Sequence, residues 1–162
     1  TAKFTASDGV AGDNFGWSVS IYENTAIIGA RATFTGFGSA YIFEKDELTG
    51  FWNETAILTA SDGFTSDLFG HSVSVSGNIA IIGAYLSDSA YVFEKDVATG
   101  DWNEMAKLTA SDGVGGDNFG WSLSISGNIA IVGSYLHDGD KGTNSGSAYV
   151  FERDDLTGIW NE

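Results

Sequence analysis

There is no proline and no cysteine in the 162 residues, and only one methionine. Without cysteine there can be no disulfide framework, no thiolate nucleophile and no Cys-ligated zinc. Without proline, turns must come from Asn, Asp and the 22 glycines. Positive charge is also scarce: 7 Lys and Arg stand against 22 Asp and Glu, for a net charge of −15. Nothing here could neutralise a row of phosphates, so neither a nucleic acid nor an anionic membrane surface is expected as a partner. No apolar run approaches the roughly 18–20 residues that a membrane-spanning helix needs. No secretory leader is visible, and a start at Thr1 is what a mature or excised piece would show. Apolar residues, by contrast, make up 43% of the chain and aromatics 14%, enough for a packed core and too much for a disordered chain.

The chain is three copies of one unit. Ala6-Ser7-Asp8-Gly9 returns at Ala60-Ser61-Asp62-Gly63 and at Ala110-Ser111-Asp112-Gly113. Phe15-Gly16 returns at Phe69-Gly70 and Phe119-Gly120, and Trp52-Asn53-Glu54 at Trp102-Asn103-Glu104 and Trp160-Asn161-Glu162. The repeats are read as residues 1–54, 55–104 and 105–162; the first 30 residues share 21 identities with 105–134. Length varies in one connection only, with eight residues between Ala30 and Ser39, four between Ala84 and Ser89, and twelve between Ser134 and Ser147. Variation confined to one place marks a surface loop between two strands.

Each repeat reads as four strands. From Gly16 to Ile21, Trp17, Val19 and Ile21 alternate with Ser18 and Ser20, the period of a strand. Glu23-Asn24, Gly77-Asn78 and Gly127-Asn128 supply residues that suit tight hairpins. Ala26 to Ala30 is a short apolar run of a strand buried on both faces. Ser39 to Glu44 is a third strand, Asp46 to Gly50 an Asx-initiated turn, and Trp52 to Ala60 a more polar outer strand. No stretch has a helical period. Four antiparallel strands about every 50 residues predict an all-β protein of β-propeller blades; a Greek-key sandwich is the competing architecture, but gives no reason for threefold sequence repetition.

Phe15-Gly16, a hairpin, and then Gly29-Ala30 in the place of Gly-Ala-Pro resemble the FG-GAP repeat of integrin α-subunit propellers. The resemblance is closer still to bacterial-type FG-GAP repeats, through Leu-Thr-Ala-Ser-Asp-Gly at 108–113, Asp-Asn-Phe-Gly-Trp-Ser at 117–122 and Gly-Ser-Ala-Tyr-Val-Phe-Glu at 146–152. It covers the whole chain. It implies that Phe15 fills the gap between blades while Gly16 lets backbones approach. The proline of Gly-Ala-Pro is replaced by Arg31, Tyr85 and Tyr135. The calcium loop that many integrin repeats hold between their first two strands has no counterpart in Tyr22-Glu23-Asn24, Ser76-Gly77-Asn78 or Ser126-Gly127-Asn128, because three residues cannot supply a calcium ion's six to eight oxygens.

Other chemistry is sparse. Asp8, Asp13, Glu44, Asp46 and Glu54 each recur in all three repeats, which suits turn makers and solvated strand ends rather than a catalytic pair. The loops around Asp8 and Asp13 could hold a cation, with Asx turns as the plainer reading. In the longest loop, Asp138, Asp140 and Asn144 have a partial calcium-like spacing, interrupted by Lys141 and lacking a closing carboxylate. No cofactor is expected, calcium being the one candidate, and the fold is expected to survive its removal. His71 fills the slot of Trp17 and Trp121 and reads as a packing substitution, and Trp17, Tyr41 and Phe43 as blade core. Serines recur as strand residues, which speaks against a lone activated nucleophile. The ligand candidates are Phe34, Phe37, Tyr85, Tyr135 and His137 in the variable loop, where aromatic rings could stack on sugars. Asn53-Glu54-Thr55 is a glycosylation sequon.

These readings add up to a non-enzymatic, extracellular or cell-surface scaffold, adhesion or self-assembling module, with a carbohydrate-binding propeller or a portion of a larger surface protein as alternatives. Three blades do not close a ring. The expected partners are a second copy, giving a six-bladed ring or a head-to-tail filament, other extracellular proteins, or glycans. Trp160-Asn161-Glu162 and Thr1-Ala2-Lys3-Phe4 are pieces that run on continuously in Trp52 to Leu58, so one carboxyl end is expected to abut another amino end.

Overall fold

The computed structural model describes residues 1–32, 36–139 and 141–162. Twelve strands form three separate four-stranded antiparallel sheets. The first sheet holds β1 (Phe15–Tyr22), β2 (Thr25–Ala30), β3 (Ser39–Lys45) and β4 (Trp52–Leu58). The second holds β5 (Ser72–Ser76), β6 (Ile79–Ala84), β7 (Ser89–Lys95) and β8 (Trp102–Leu108), with one 3-10 turn at Tyr85–Ser87. The third holds β9 (Phe119–Ser126), β10 (Ile129–Ser134), β11 (Ser147–Arg153) and β12 (Trp160–Asn161). In every sheet the strands lie in chain order, as hairpin-connected neighbours do. β5 packs against both β1 and β9, so the first strands gather at the centre and the fourth lie outside. This is the arrangement of β-propeller blades, and the three do not close a ring.

Local chemistry explains the turns. Asp46 Oδ1 accepts hydrogen bonds from the Leu48 and Thr49 amides and from the Thr49 hydroxyl, while Gly50 takes φ 72°. Asp154 and Thr157 repeat the device in the third blade. The β1–β2 hairpin needs a left-handed residue, supplied by Gly77 and Gly127 at φ 57° but by Glu23 at φ 49° in the first blade.

The core lies between blades. Ile27, Ala40, Ile42 and Leu58 of the first blade pack with Phe69, Val73, Val75, Ala80, Ile82, Tyr91 and Phe93 of the second. Ile79, Ile81, Ala90, Val92 and Leu108 repeat the packing against Phe119, Ile125, Ala130, Val132, Tyr149 and Phe151 of the third. Phe69 and Phe119 are therefore the wedges between blades, with no more than 1% of their surface exposed. Gly29, Gly38 and Gly83 are points of close approach: a Cβ there would stand 2.1 Å from the carbonyl oxygens of Gly70, Phe69 and Gly120 respectively. Only glycine permits that contact.

Candidate interaction surface

The Phe-Gly pair places an aromatic row at one end of the blades. Gly16, Gly70 and Gly120 take φ between 87° and 92°. In the first blade the pairing of β1 with β2 shifts register between Phe15 and Ser18. The residue after the glycine is thereby lifted off the ladder. Trp17 and Trp121 are 49% and 38% exposed, whereas His71, after the same Phe-Gly pair, is 8% exposed. This corrects the expectation that Trp17 belongs to the blade core; Tyr41 and Phe43, at 3% and 5% exposed, do belong to it.

His71 joins the two tryptophans into one row, with ring centroids 5.8 Å from Trp17 and 4.5 Å from Trp121. Tyr85 lies 4.6 Å from Trp121, and Tyr135 4.7 Å from it on the next blade. Arg31 occupies the slot of those tyrosines in the first blade, and its guanidinium carbon sits 3.5 Å from the Trp17 ring centre. Burial, reinforced by the Arg31 charge, pushes the His71 pKa down to about 4, so its ring is neutral at pH 7. The row unites two of the ligand candidates, Tyr85 and Tyr135.

The other candidates go elsewhere. Phe37, 57% exposed, lines a cavity of about 550 Å3 with Asp8, Asp13 and Tyr41. His137 is turned inward at 8% exposed, its Nδ1 2.8 Å from Asp117 and its Nε2 3.6 Å from Asp112. The hydrogen bond with Asp117 raises the His137 pKa and lowers that of Asp117. Asp138 Oδ1 accepts the Asn144 amide at 2.8 Å, bracing the long loop. Phe34 and Asp140 lie outside the described residues. Among those described, no group of three His, Asp or Glu is placed to hold a metal ion.

Asp8, Asp13, Glu54 and their repeats are engaged within their own blades, whereas Glu44 and Glu94 reach Lys95 and Arg153 of the next blade. Tyr41, Tyr91 and Tyr149 donate their hydroxyls to Asp8, Asp62 and Asp112 at 2.7–2.8 Å. Burial, helped by those carboxylates, pushes the Tyr91 and Tyr149 hydroxyls up to about 12. Asp13, Asp67 and Asp117 each accept the amide three residues earlier, from Val10, Phe64 and Val114, as Asx-type loop braces. Glu54, Glu104 and Glu162 hold Ser7, Ser61 and Ser111 through both amide and hydroxyl. Lys107 Nζ adds a 2.7 Å contact to Asp62.

Two blade faces stand open. On the first blade, Val19 and Ile21 are 68% and 65% exposed, whereas their equivalents Val73 and Val75 are 7% and 4% exposed. On the third, Ile129, Ile131 and Val150 are 51%, 44% and 53% exposed, against 8%, 0% and 1% for Ile79, Ile81 and Val92. The repeats supply the same apolar pattern on every blade, and only the middle blade is covered on both sides.

The sequence reading missed the exposure of Trp17 and Trp121. No local signal gave it, because the same Phe-Gly pair also precedes His71, which is 8% exposed, so exposure at this position depends on the neighbouring blade. Comparison with known proteins agrees with the architecture. The crystal structure of Sqt1 from Saccharomyces cerevisiae superposes with a TM-score of 0.60 over 93% of this chain at 11% identity, a likeness of fold. This chain spans 34% of that one. No curated protein matches the sequence. The model of the FG-GAP repeat family matches three times, over residues 1–43, 52–93 and 102–151. The chain belongs to the FG-GAP repeat family.

Proposed function

We propose that this chain is a non-enzymatic scaffold or adhesion module of the extracellular kind, working through surfaces that its blades hold in fixed relation. The observation that carries the reading is the pair of open apolar faces, Val19 with Ile21 and Ile129 with Ile131 and Val150, on a chain otherwise packed blade to blade. Contiguous exposed apolar surface of this sort suits association with another protein. The extracellular location rests on the likeness of the repeats to those of integrin α subunits.

The aromatic row favours a second reading, a carbohydrate-binding propeller. Trp121, Tyr85 and Tyr135 cluster at one end of the blades, and indole and phenol faces can stack on the apolar face of a sugar.

An adhesion assay separates the two. Beads carrying the chain are scored against beads carrying the same chain, against immobilised cell-surface proteins and against printed glycans. Adhesion in either protein arm supports the scaffold. Adhesion to glycans alone, lost in Tyr135→Ala and Trp121→Ala, replaces it with the carbohydrate reading. Adhesion in no arm overturns both.

A further inference from the structure

The internal blade interfaces are joined by four polar and steric links, each occurring at both. Glu44 pairs with Lys95 at 2.5 Å, and Glu94 with Arg153 at 2.9 Å. The Ser18 and Ser72 hydroxyls donate to the Gly70 and Gly120 carbonyls at 2.9 and 2.7 Å. The Val75 and Ile125 amides donate to the Ser20 and Ser74 hydroxyls at 3.2 and 3.1 Å. Gly29 and Gly83 admit the backbones of Gly70 and Gly120.

The open faces carry the unmatched half of every link. The third blade offers Glu152, Ser122, Ser124 and Gly133; the first offers Lys45, the Gly16 carbonyl and the Ile21 amide. Neither Lys45 nor Glu152 has an ion-pair partner among the described residues. Gly16 has nothing within 4 Å of where a Cβ would stand, whereas Gly70 and Gly120 press on the Ser39 and Ser89 carbonyls at 2.4 and 2.3 Å.

The outer edge is unmatched in the same sense. β4 and β8 cover their neighbours as far as Ala40↔Leu58 and Ala90↔Leu108. β12 pairs with β11 only at Glu152 and Arg153, so Ala148, Tyr149 and Val150 are paired with β10 on the inner side and with no described strand on the outer side. The segment Ala2-Lys3-Phe4 repeats Ala106-Lys107-Leu108, the residues that pair with Val92, Tyr91 and Ala90. Phe4 sits on its own first blade, stacked on Phe43 at 4.7 Å.

We infer that the third blade of one chain docks on the first blade of a second copy, head to tail, reproducing the internal blade interface. Ile129, Ile131 and Val150 then meet Val19 and Ile21 of the second copy, and Glu152 pairs with its Lys45. Such a contact is heterologous, so it either closes into a ring or grows. The inference deepens the scaffold reading and rests on it.

The test needs no added ligand: the whole chain is followed by mass measurement across micromolar concentrations. Reversible association is expected, whether it stops at two copies or continues. Gly133→Ala should weaken it about tenfold or more, by placing a methyl against the incoming Gly16 carbonyl. The same variant should unfold at the wild-type temperature as a monomer, since within that chain its new Cβ crowds only the Ser122 hydroxyl, which can rotate away, and lies an ordinary 3.6 Å from the Ser122 backbone oxygen. Glu152→Lys and Lys45→Glu should each weaken association by about threefold or more. An equimolar mixture of the two should regain wild-type association, because every contact between unlike chains is then oppositely charged. A monomer throughout overturns the inference, as does association that Gly133→Ala leaves intact or that mixing does not rescue. Adhesion of coated beads to other proteins would in those cases leave the scaffold reading standing.

Discussion

The middle blade and the two flanking blades carry nearly the same residues in nearly the same positions, yet their environments differ completely. Ile81 has no exposed surface and Ile131 has 44%; Val75 has 4% and Ile21 has 65%. The backbone course is shared, with the hairpins, Phe-Gly wedges and Asx turns recurring in each sheet. A blade therefore makes its own strands but not its own core. Hairpins and turns are satisfied by hydrogen bonds within the repeat, whereas each apolar face needs a neighbour to exclude water.

The comparison breaks most sharply at the glycines of closest approach. Gly83→Ala should destabilise the chain by about 3 kcal/mol, because the new methyl meets the Gly120 carbonyl rather than a side chain that can turn away. Denaturant unfolding measures this. An unfolding midpoint equal to that of wild type would mean that blades two and three do not approach as described.

Truncation tests burial next. Ile81→Ala should cost about 3 kcal/mol and Ile131→Ala in the monomer under about 1 kcal/mol, since only the first opens a cavity. Equal losses would show that the third blade's face is covered in solution; repeating the comparison across protein concentrations tells whether a second copy covers it.

A smaller effect separates the hairpins. Glu23 holds the left-handed conformation that Gly77 and Gly127 hold in the other blades. Glu23→Gly should therefore stabilise the first blade by about 1 kcal/mol, read as a higher melting temperature.

The two histidines should respond to pH in opposite directions. The folded pKa of His71 lies below its usual 6.5, at about 4, so the unfolded chain binds more protons between those values. The His71 contribution is present above pH 6.5 and is lost as pH falls towards 4. The folded pKa of His137 is raised, so its contribution is full below 6.5 and is lost as pH rises through the folded value. Melting curves from pH 4 to 9 should lose acid sensitivity in His71→Trp and sensitivity near neutrality in His137→Asn. Unchanged profiles would place both rings in solvent.

The smallest effect expected is that of calcium. Asp138 is already engaged by the Asn144 amide and Asp8 by the Tyr41 hydroxyl. At fixed ionic strength, chelator and millimolar calcium should give melting temperatures within about 10 °C of each other, the diffuse attraction of a −15 chain being one that sodium can imitate. A larger shift would point to a structural ion.

Most of the fold was legible because its signals are local. Alternation along Trp52 to Leu58, Gly-Asn hairpins and the Asp46-to-Gly50 turn are decided within a few residues. The candidate surface was legible in part. Tyr85 and Tyr135 stood out as aromatics in a loop of variable length, but their meeting across Trp121 joins two blades, and no spacing within a single repeat encodes it. His137 looked like a loop ligand; Asp112 and Asp117, some 20 residues earlier, draw it inward.

By itself the sequence determined the repeat and the strand order, since backbone sterics and hydrogen-bond satisfaction act over short stretches of chain. Only the tertiary structure decided which of three equivalent faces is buried, which aromatic after a Phe-Gly pair meets solvent, and which carboxylates are engaged, because each depends on the blade next door.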